Sequence, residues 1–360
     1  MRPVASSAKR PDARAVASTA VPTTLADLTT LRLGGPAGRI ETAATTGDLV
    51  ALVAEADRDS EPVLLVGGGS NLVVGDAGWP GVVVRVASSD IMEFDTRDGV
   101  ELTVSAGVGW DELVERTLAD KLAGLETMSG IPGLVGATPV QNVGAYGSEV
   151  ADVLTALTIY DRERRLVETW SPDRCRFGFR TSAFKHTDRY VVLDVTIRLT
   201  RSKRSRPVRY LELAKRLGIG QGETAPLSSV RSTVLELRRS KGMVLDEADH
   251  DSWSVGSFFV NPLLDEVPAA AADCPQWETG GRMKLSAAWL IEQAGFSRGY
   301  GLDRGRGAVS VSTKHTLALT NRGGATTAEL LELAAEIRAG VQDRFGIRLG
   351  PEARLANCAL

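Results

Sequence analysis

The segment Val66-Gly67-Gly68-Gly69-Ser70-Asn71 constrains the fold more than any other stretch of this chain. It follows a short apolar run, Pro62 to Val66, that reads as a buried strand, and it precedes a second strand at Leu72 to Val74. The order is therefore strand, glycine loop, strand. Nucleotide sites of the Rossmann and Walker kinds need a helix after the loop to receive the phosphate, so neither motif is present. Three consecutive glycines still permit positive φ and let backbone N–H groups close on an anion, with Ser70 and Asn71 as side-chain donors. Taken alone, such a loop between two strands is more often a plain turn.

A second constellation runs from Ser129-Gly130-Ile131-Pro132-Gly133 through Gly136-Ala137-Thr138-Pro139 to Gln141-Asn142-Val143-Gly144-Ala145-Tyr146-Gly147. Gln141, Asn142 and Tyr146 are residues that a flexible linker does not need. Such a loop suits a backbone pressed against a flat ring and a pyrophosphate, with an amide or hydroxyl at the ring edge. An irregular crossover is the alternative reading of this segment by itself.

Around these loops the periodicities describe a mixed α+β protein. Thr45 to Asp57 reads as a helix, Gly81 to Ala87 and Val100 to Ala106 as strands, and Trp110 to Leu122 as an amphipathic helix. Leu154 to Tyr160 and Leu166 to Trp170 read as a hairpin, and Tyr190 to Thr200 alternates Val191, Leu193, Val195, Ile197 and Leu199 with mostly polar residues. Arg201 to Pro207 is the linker candidate, followed by helices at Ser229 to Arg239 and Ser286 to Gln293. Thr326 and Glu329 have capping-box spacing ahead of a helix with Leu330, Leu333, Ile337, Val341 and Phe345 in one stripe, closed by Gly346. The expected division is a tail at 1–21, a first domain at 22–204 in two parts (about 22–85 and 86–204), and a second at 205–360. The tail is either mobile or the product of a misplaced start.

With 360 residues, more than one packed core is expected. A net charge of −3 gives no support for nucleic acid as a partner, and no apolar run is long enough to cross a membrane. Cys175, Cys274 and Cys358 lie far apart without a C-x-x-C pair, which argues against a disulfide framework or a metal site and for a reducing cytoplasm.

Together, Leu33-Gly34-Gly35-Pro36-Ala37, the Gly67 to Asn71 loop and the Ile131 to Gly147 loop resemble the FAD-binding half of the UDP-N-acetylenolpyruvoylglucosamine reductase family, in its variety with a tyrosine-bearing substrate loop. The likeness continues through Cys175-Arg176-Phe177-Gly178-Phe179-Arg180, Gly256-Ser257-Phe258-Phe259-Val260-Asn261-Pro262, Thr313-Lys314-His315 and Pro351-Glu352. The resemblance implies a two-lobed FAD-binding domain of the vanillyl-alcohol-oxidase/PCMH type, followed by an α+β substrate-binding domain whose last segment returns to the active site. It further implies non-covalent FAD, NADPH as reductant, a nucleotide-sugar substrate and a monomer.

The residues that would hold FAD are Gly67, Gly68, Gly69, Ser70, Asn71, Gly130, Ile131, Pro132, Gly133, Gly136, Ala137, Pro139, Gln141, Asn142, Gly144, Ala145 and Tyr146. Reducing an enol ether leaves negative charge on the carbon bearing the carboxylate, so cations and an acid are needed. By resemblance Arg180 clamps the enolate, Ser257 donates the proton and Glu352 assists the enol. Tyr210, Lys241 and Asn261 are the candidates for substrate contact. His315 either meets a ligand or sits in the core, and it stays outside the catalytic set. Phe179 stands where many members have tyrosine, and Val260 where many have a basic residue.

Two rivals remain. A flavin oxidase of the same superfamily would often tether its flavin through His or Cys, yet no histidine precedes His186 and the only cysteine of the first half is Cys175. A silent nucleotide-binding module would not need Arg180, Ser257 and Glu352 together.

Overall fold

The computed structural model describes residues 24–360, so the segment read as a tail lies outside the described residues. Strands Ala37–Ala43, Trp79–Val86 and Val63–Val66 form a parallel sheet with Trp79–Val86 in the middle. Parallel neighbours need a crossover, and helix Thr46–Arg58 supplies it, laying Leu49, Val53 and Ala56 on the sheet. Its start is fixed by the side chain of Thr45, which accepts the Asp48 N–H at 3.0 Å while the Asp48 carboxylate accepts the Thr45 N–H at 2.9 Å. Val82, Val83 and Val84 are all buried because both faces of the middle strand are covered.

A second sheet is antiparallel, in the order Leu166–Trp170, Leu154–Asp161, Tyr190–Arg201, Gly99–Ser105 and Ile91–Thr96. The alternation read in Tyr190 to Thr200 serves two cores. Val191 and Leu193 pack with helix Thr46–Arg58, whereas Val195, Ile197 and Leu199 pack with helix Trp110–Ala119. A register irregularity between Thr158 and Ile159 on the neighbouring strand lies where the two halves meet.

Downstream, helices Ala287–Gln293 and Thr327–Phe345 build a third core that takes in Leu31, Leu33 and Val73 from the first module. The long helix buries Leu330, Leu333, Ile337, Val341 and Phe345, each worth about 1.5–3 kcal/mol. Its capping box forms as the spacing predicts, and Asp76 from the first module also accepts the N–H groups of Thr327 and Ala328 at 2.7 and 2.9 Å. The chain end then returns: Arg354–Ala356 pairs in parallel with Leu72–Val74, and the Arg354 N–H donates to the Asn71 carbonyl at 3.0 Å.

Two sequence expectations are corrected. The helix expected to reach Leu122 ends at Ala119, and after Lys121 turns with φ 60° the residues Leu122–Ala123 pair with the end of Tyr190–Arg201. Leu122 is buried either way, so helical spacing could not tell these apart. Arg201 to Pro207 is not a loose connection, because Ser205 is buried and the Arg206 N–H donates to the buried carboxylate of Glu126 at 2.7 Å. Short strands such as Arg354–Ala356 and Val309–Val311 carry no period long enough to be read. Among the described residues no helix is long and apolar enough to cross a membrane. All three cysteines are free thiols.

Candidate active site

The two glycine loops, 62 residues apart in sequence at their contact, meet face to face. The Ser70 hydroxyl donates to the Pro132 carbonyl at 3.1 Å and the Asn71 amide donates to Gln141 Oε1 at 3.4 Å. A Cβ on Gly68 would stand 2.9 Å from Gly133 Cα, so only glycines allow this approach. Among the described residues, none of the backbone N–H groups from Gly67 to Asn71 donates to a protein acceptor. Successive unclaimed N–H groups beside a glycine-lined cleft fit the pyrophosphate of a dinucleotide such as FAD. Gly69 has φ 59°, and a Cβ there would overlap the Leu28 carbonyl oxygen. Gly69→Ala should therefore cost about 1–3 kcal/mol or more and strip flavin from the protein. Thermal unfolding and the flavin-to-protein absorbance ratio would check this, and an unchanged ratio would count against the cradle.

The second loop is anchored from below. The Gly130 N–H donates to Asp111 Oδ1 at 2.6 Å, and Arg231 holds the same carboxylate at 2.7 and 2.9 Å. Arg238, a buried guanidinium that sequence reasoning missed, donates to the Gly130 carbonyl at 3.1 Å. Ile131, Pro132, Gly133, Gly136, Ala137 and Pro139 follow along the loop, and Gly136 packs so closely on Ala106 that no side chain would fit. Asn142 is fully buried, with its side chain accepting from Ala151 N–H at 3.0 Å and donating to the Gly178 carbonyl at 3.3 Å, so its amide is engaged within the protein. Gly144 and Ala145 form a two-residue strand against Ser148–Glu149. Tyr146 meets Tyr210 edge to face, with ring centroids 5.4 Å apart. Burial pushes the Tyr146 hydroxyl up to about 12.

Two of the three candidates for chemistry meet from distant segments. Arg180 Nε lies 3.3 Å from Glu352 Oε1, and the two side chains are only 26% and 16% exposed. The same guanidinium donates to the carbonyls of Gly144 at 2.7 Å and Asn142 at 3.4 Å, which ties it to the second glycine loop. Glu352 is placed by main-chain contacts: its N–H donates to the Phe258 carbonyl at 2.8 Å, and Phe259 bridges Pro351. Ser257 is the residue before Phe258, so it stands next to the strand contact that seats Glu352. Burial pushes the Glu352 carboxyl above its ordinary range, against the pull of Arg180 and Lys185. A raised value means that the folded state favours the neutral acid, and the stability this contributes at low pH is lost as pH rises through it.

Of the substrate candidates, Asn261 lines a pocket of about 240 Å³ with Phe179, Arg180, Lys185 and Val260. Its Oδ1 also accepts the Ala287 N–H at 2.9 Å, which seats the start of helix Ala287–Gln293. Tyr210 and Lys241 lie elsewhere, linked through Glu212, whose Oε2 is 3.6 Å from Lys241 Nζ. Burial, and then Lys241, drive the His315 imidazole down to about 4, so it is neutral at ordinary pH. Lys284, also missed, has its ammonium 4.6 Å from the Phe179 ring, and burial followed by Arg180 lowers its pKa. The ring at Phe179 thus keeps a cation-binding face although the hydroxyl is absent. Asp251 accepts from Thr313 N–H at 2.8 Å and from Arg322 at 2.8 Å, fixing the Thr313-Lys314-His315 loop. No local pattern marks an aspartate whose partners are 62 and 71 residues away. Among the described residues no cluster of three His, Cys, Asp or Glu could hold a metal.

A glycine cradle joined to a half-buried arginine–carboxylate pair is the arrangement of a flavin-dependent enzyme, and residues 38–169 match the FAD-binding domain family. Residues 247–356 match the UDP-N-acetylenolpyruvoylglucosamine reductase C-terminal domain. The chain is 53% identical over 339 residues to the UDP-N-acetylenolpyruvoylglucosamine reductase of Thermobifida fusca, covering 90% of this chain and 94% of that one. It is 52% identical over 348 residues to the enzyme of the same name from Salinispora arenicola, covering 93% and 95%. The solved structure of the reductase from Thermus caldophilus superposes with a TM-score of 0.64 at 25% identity, over 92% of this chain and 97% of that one. This chain belongs to the UDP-N-acetylenolpyruvoylglucosamine reductase family.

Proposed function

We propose that the protein reduces the enolpyruvyl ether of UDP-N-acetylglucosamine, UDP-N-acetyl-3-O-(1-carboxyvinyl)-glucosamine, to UDP-N-acetylmuramate in peptidoglycan precursor synthesis, with NADPH as the reductant. The observation that carries this reading is the Arg180–Glu352 pair, tied by two hydrogen bonds to the glycine loop. Bound FAD would supply hydride to the methylene carbon of the substrate. The residues of the chain handle the charge and the proton that follow. Arg180 can turn its planar guanidinium to the carboxylate of the enolate, which a point-charge ammonium cannot grip in the same way. Burial makes the Glu352 carboxyl harder to ionise, and in its protonated form it can donate a hydrogen bond to the enolate oxygen. Ser257 gives its proton to the carbon bearing the carboxylate, a transfer that a strongly basic carbanion drives despite the high pKa of a hydroxyl.

Asn261 is assigned to the substrate on the pocket wall, with Lys241 and Tyr210 assigned to its pyrophosphate and to the covering loop. FAD is held without a covalent tether, since residues 38–169 contain neither His nor Cys. The protein is taken to act in the cytoplasm as a monomer. The test is the visible spectrum of the purified protein, followed anaerobically through addition of NADPH and then of the enolpyruvyl compound. Flavin absorbance that bleaches with NADPH and returns only with the enolpyruvyl compound is the expected result. Return only with air would favour an oxidase, and no flavin after FAD is supplied would end the reading.

A further inference from the structure

We propose that Lys185 is a positioning residue of this site, holding the strained turn that carries Arg180 and presenting a second positive charge to Glu352; the inference rests on the function proposed above. Phe179 and Arg180 are the central pair of a tight turn closed by reciprocal backbone hydrogen bonds between Gly178 and Thr181, at 3.1 and 3.3 Å. Arg180 adopts φ 52°, a left-handed conformation that a residue with a Cβ takes only when its surroundings impose it. Three contacts impose it here. The Ser182 hydroxyl donates to the Val140 carbonyl at 2.6 Å, the Ala183 N–H donates to the Cys175 carbonyl at 2.8 Å, and Lys185 Nζ donates to the carbonyl of Arg180 itself at 2.7 Å. Only the last grips the strained residue, and only it brings a charge.

That charge is placed for use. Lys185 lines the same pocket as Arg180 and Asn261, and it is half-buried. Among the described residues, the charged groups that act on Glu352 are Arg180, from the turn, and Lys185, from the segment behind it. Lys284, on the adjoining hairpin strand Arg282–Leu285, stands beside Arg180 rather than beside the carboxylate. When the carboxylate of a substrate draws on the guanidinium, Lys185 remains as the second cation whose charge acts on Glu352. Burial lifts the Glu352 carboxyl and Lys185 restrains the lift, so loss of the ammonium must raise it further.

The experiment compares Lys185→Met, which removes donor and charge, with Lys185→Gln, which keeps a donor and removes the charge. Two readouts apply: the pH profile of enolpyruvyl reduction in the flavin-loaded enzyme, and the ¹³C titration of the Glu352 carboxyl in flavin-free protein, assigned by its loss in Glu352→Gln. Both variants should retain flavin, lose roughly 10- to 100-fold in kcat with little change in KM, and move the pH limb and the carboxyl titration to higher pH. Lys185→Met should be the slower of the two, because the turn also loses its latch. A carboxyl titration that stays at the wild-type pH in Lys185→Gln overturns the inference, whether or not Lys185→Met folds. If the wild type itself fails to reduce the enolpyruvyl compound, the proposed function falls, while the carboxyl titration still decides the role of Lys185.

Discussion

Alanine in place of Ser257 is expected to leave flavin bound and its bleaching by NADPH intact, while turnover of the enolpyruvyl compound falls roughly 10²- to 10⁴-fold, the usual loss for a positioned acid. The separation follows from where Ser257 sits. Its neighbour Phe258 is a fully buried anchor, donating its N–H to the Leu317 carbonyl at 2.7 Å and accepting the Glu352 N–H at 2.8 Å, and none of these contacts uses the hydroxyl. The glycine cradle lies on other segments. Removing one oxygen should therefore spare fold, flavin and Glu352. Stopped-flow absorbance would resolve the two half-reactions, and a variant that runs both at near wild-type rates would remove Ser257 from the chemistry.

Arg180→Lys is expected to lower kcat by roughly 10²- to 10³-fold, the range for loss of a main charge-stabilising donor. An ammonium cannot serve the Gly144 carbonyl, the Asn142 carbonyl and Glu352 at once, as the guanidinium does from one plane. Flavin affinity should also weaken, because two carbonyls of the second glycine loop lose their donor. Steady-state kinetics with a flavin titration would show both effects, and a lysine variant within about threefold of wild type would mean that charge alone suffices there.

The local elements were readable because local rules govern them. Val63–Val66 lies where its apolar run ends at glycines, and helix Thr327–Phe345 starts at the capping box of Thr326 and Glu329 and stops at Gly346 with φ 71°. The helix at Trp110 was misread at its end because a buried leucine suits a helix or a two-residue strand equally well. Val260 lines the pocket with Lys185, a cation that no spacing in the sequence marked.

By itself the sequence determined the strand–loop–strand order that excludes a helix-borne phosphate site, the α+β character, and the motifs that carry the family likeness. All of these depend on residues near one another along the chain, where periodicity, glycine content and capping act directly. The tertiary structure alone decided that the glycine loops touch through Gly68 and Gly133, and that Arg238 and Asp111 hold the second loop from beneath. It also decided that Arg354–Ala356 pairs with Leu72–Val74 and so delivers Glu352 to Arg180, with Lys185 behind it. Such contacts join residues tens to hundreds of positions apart. They form because burial of the shared cores sets which segments meet, and no local pattern encodes that meeting.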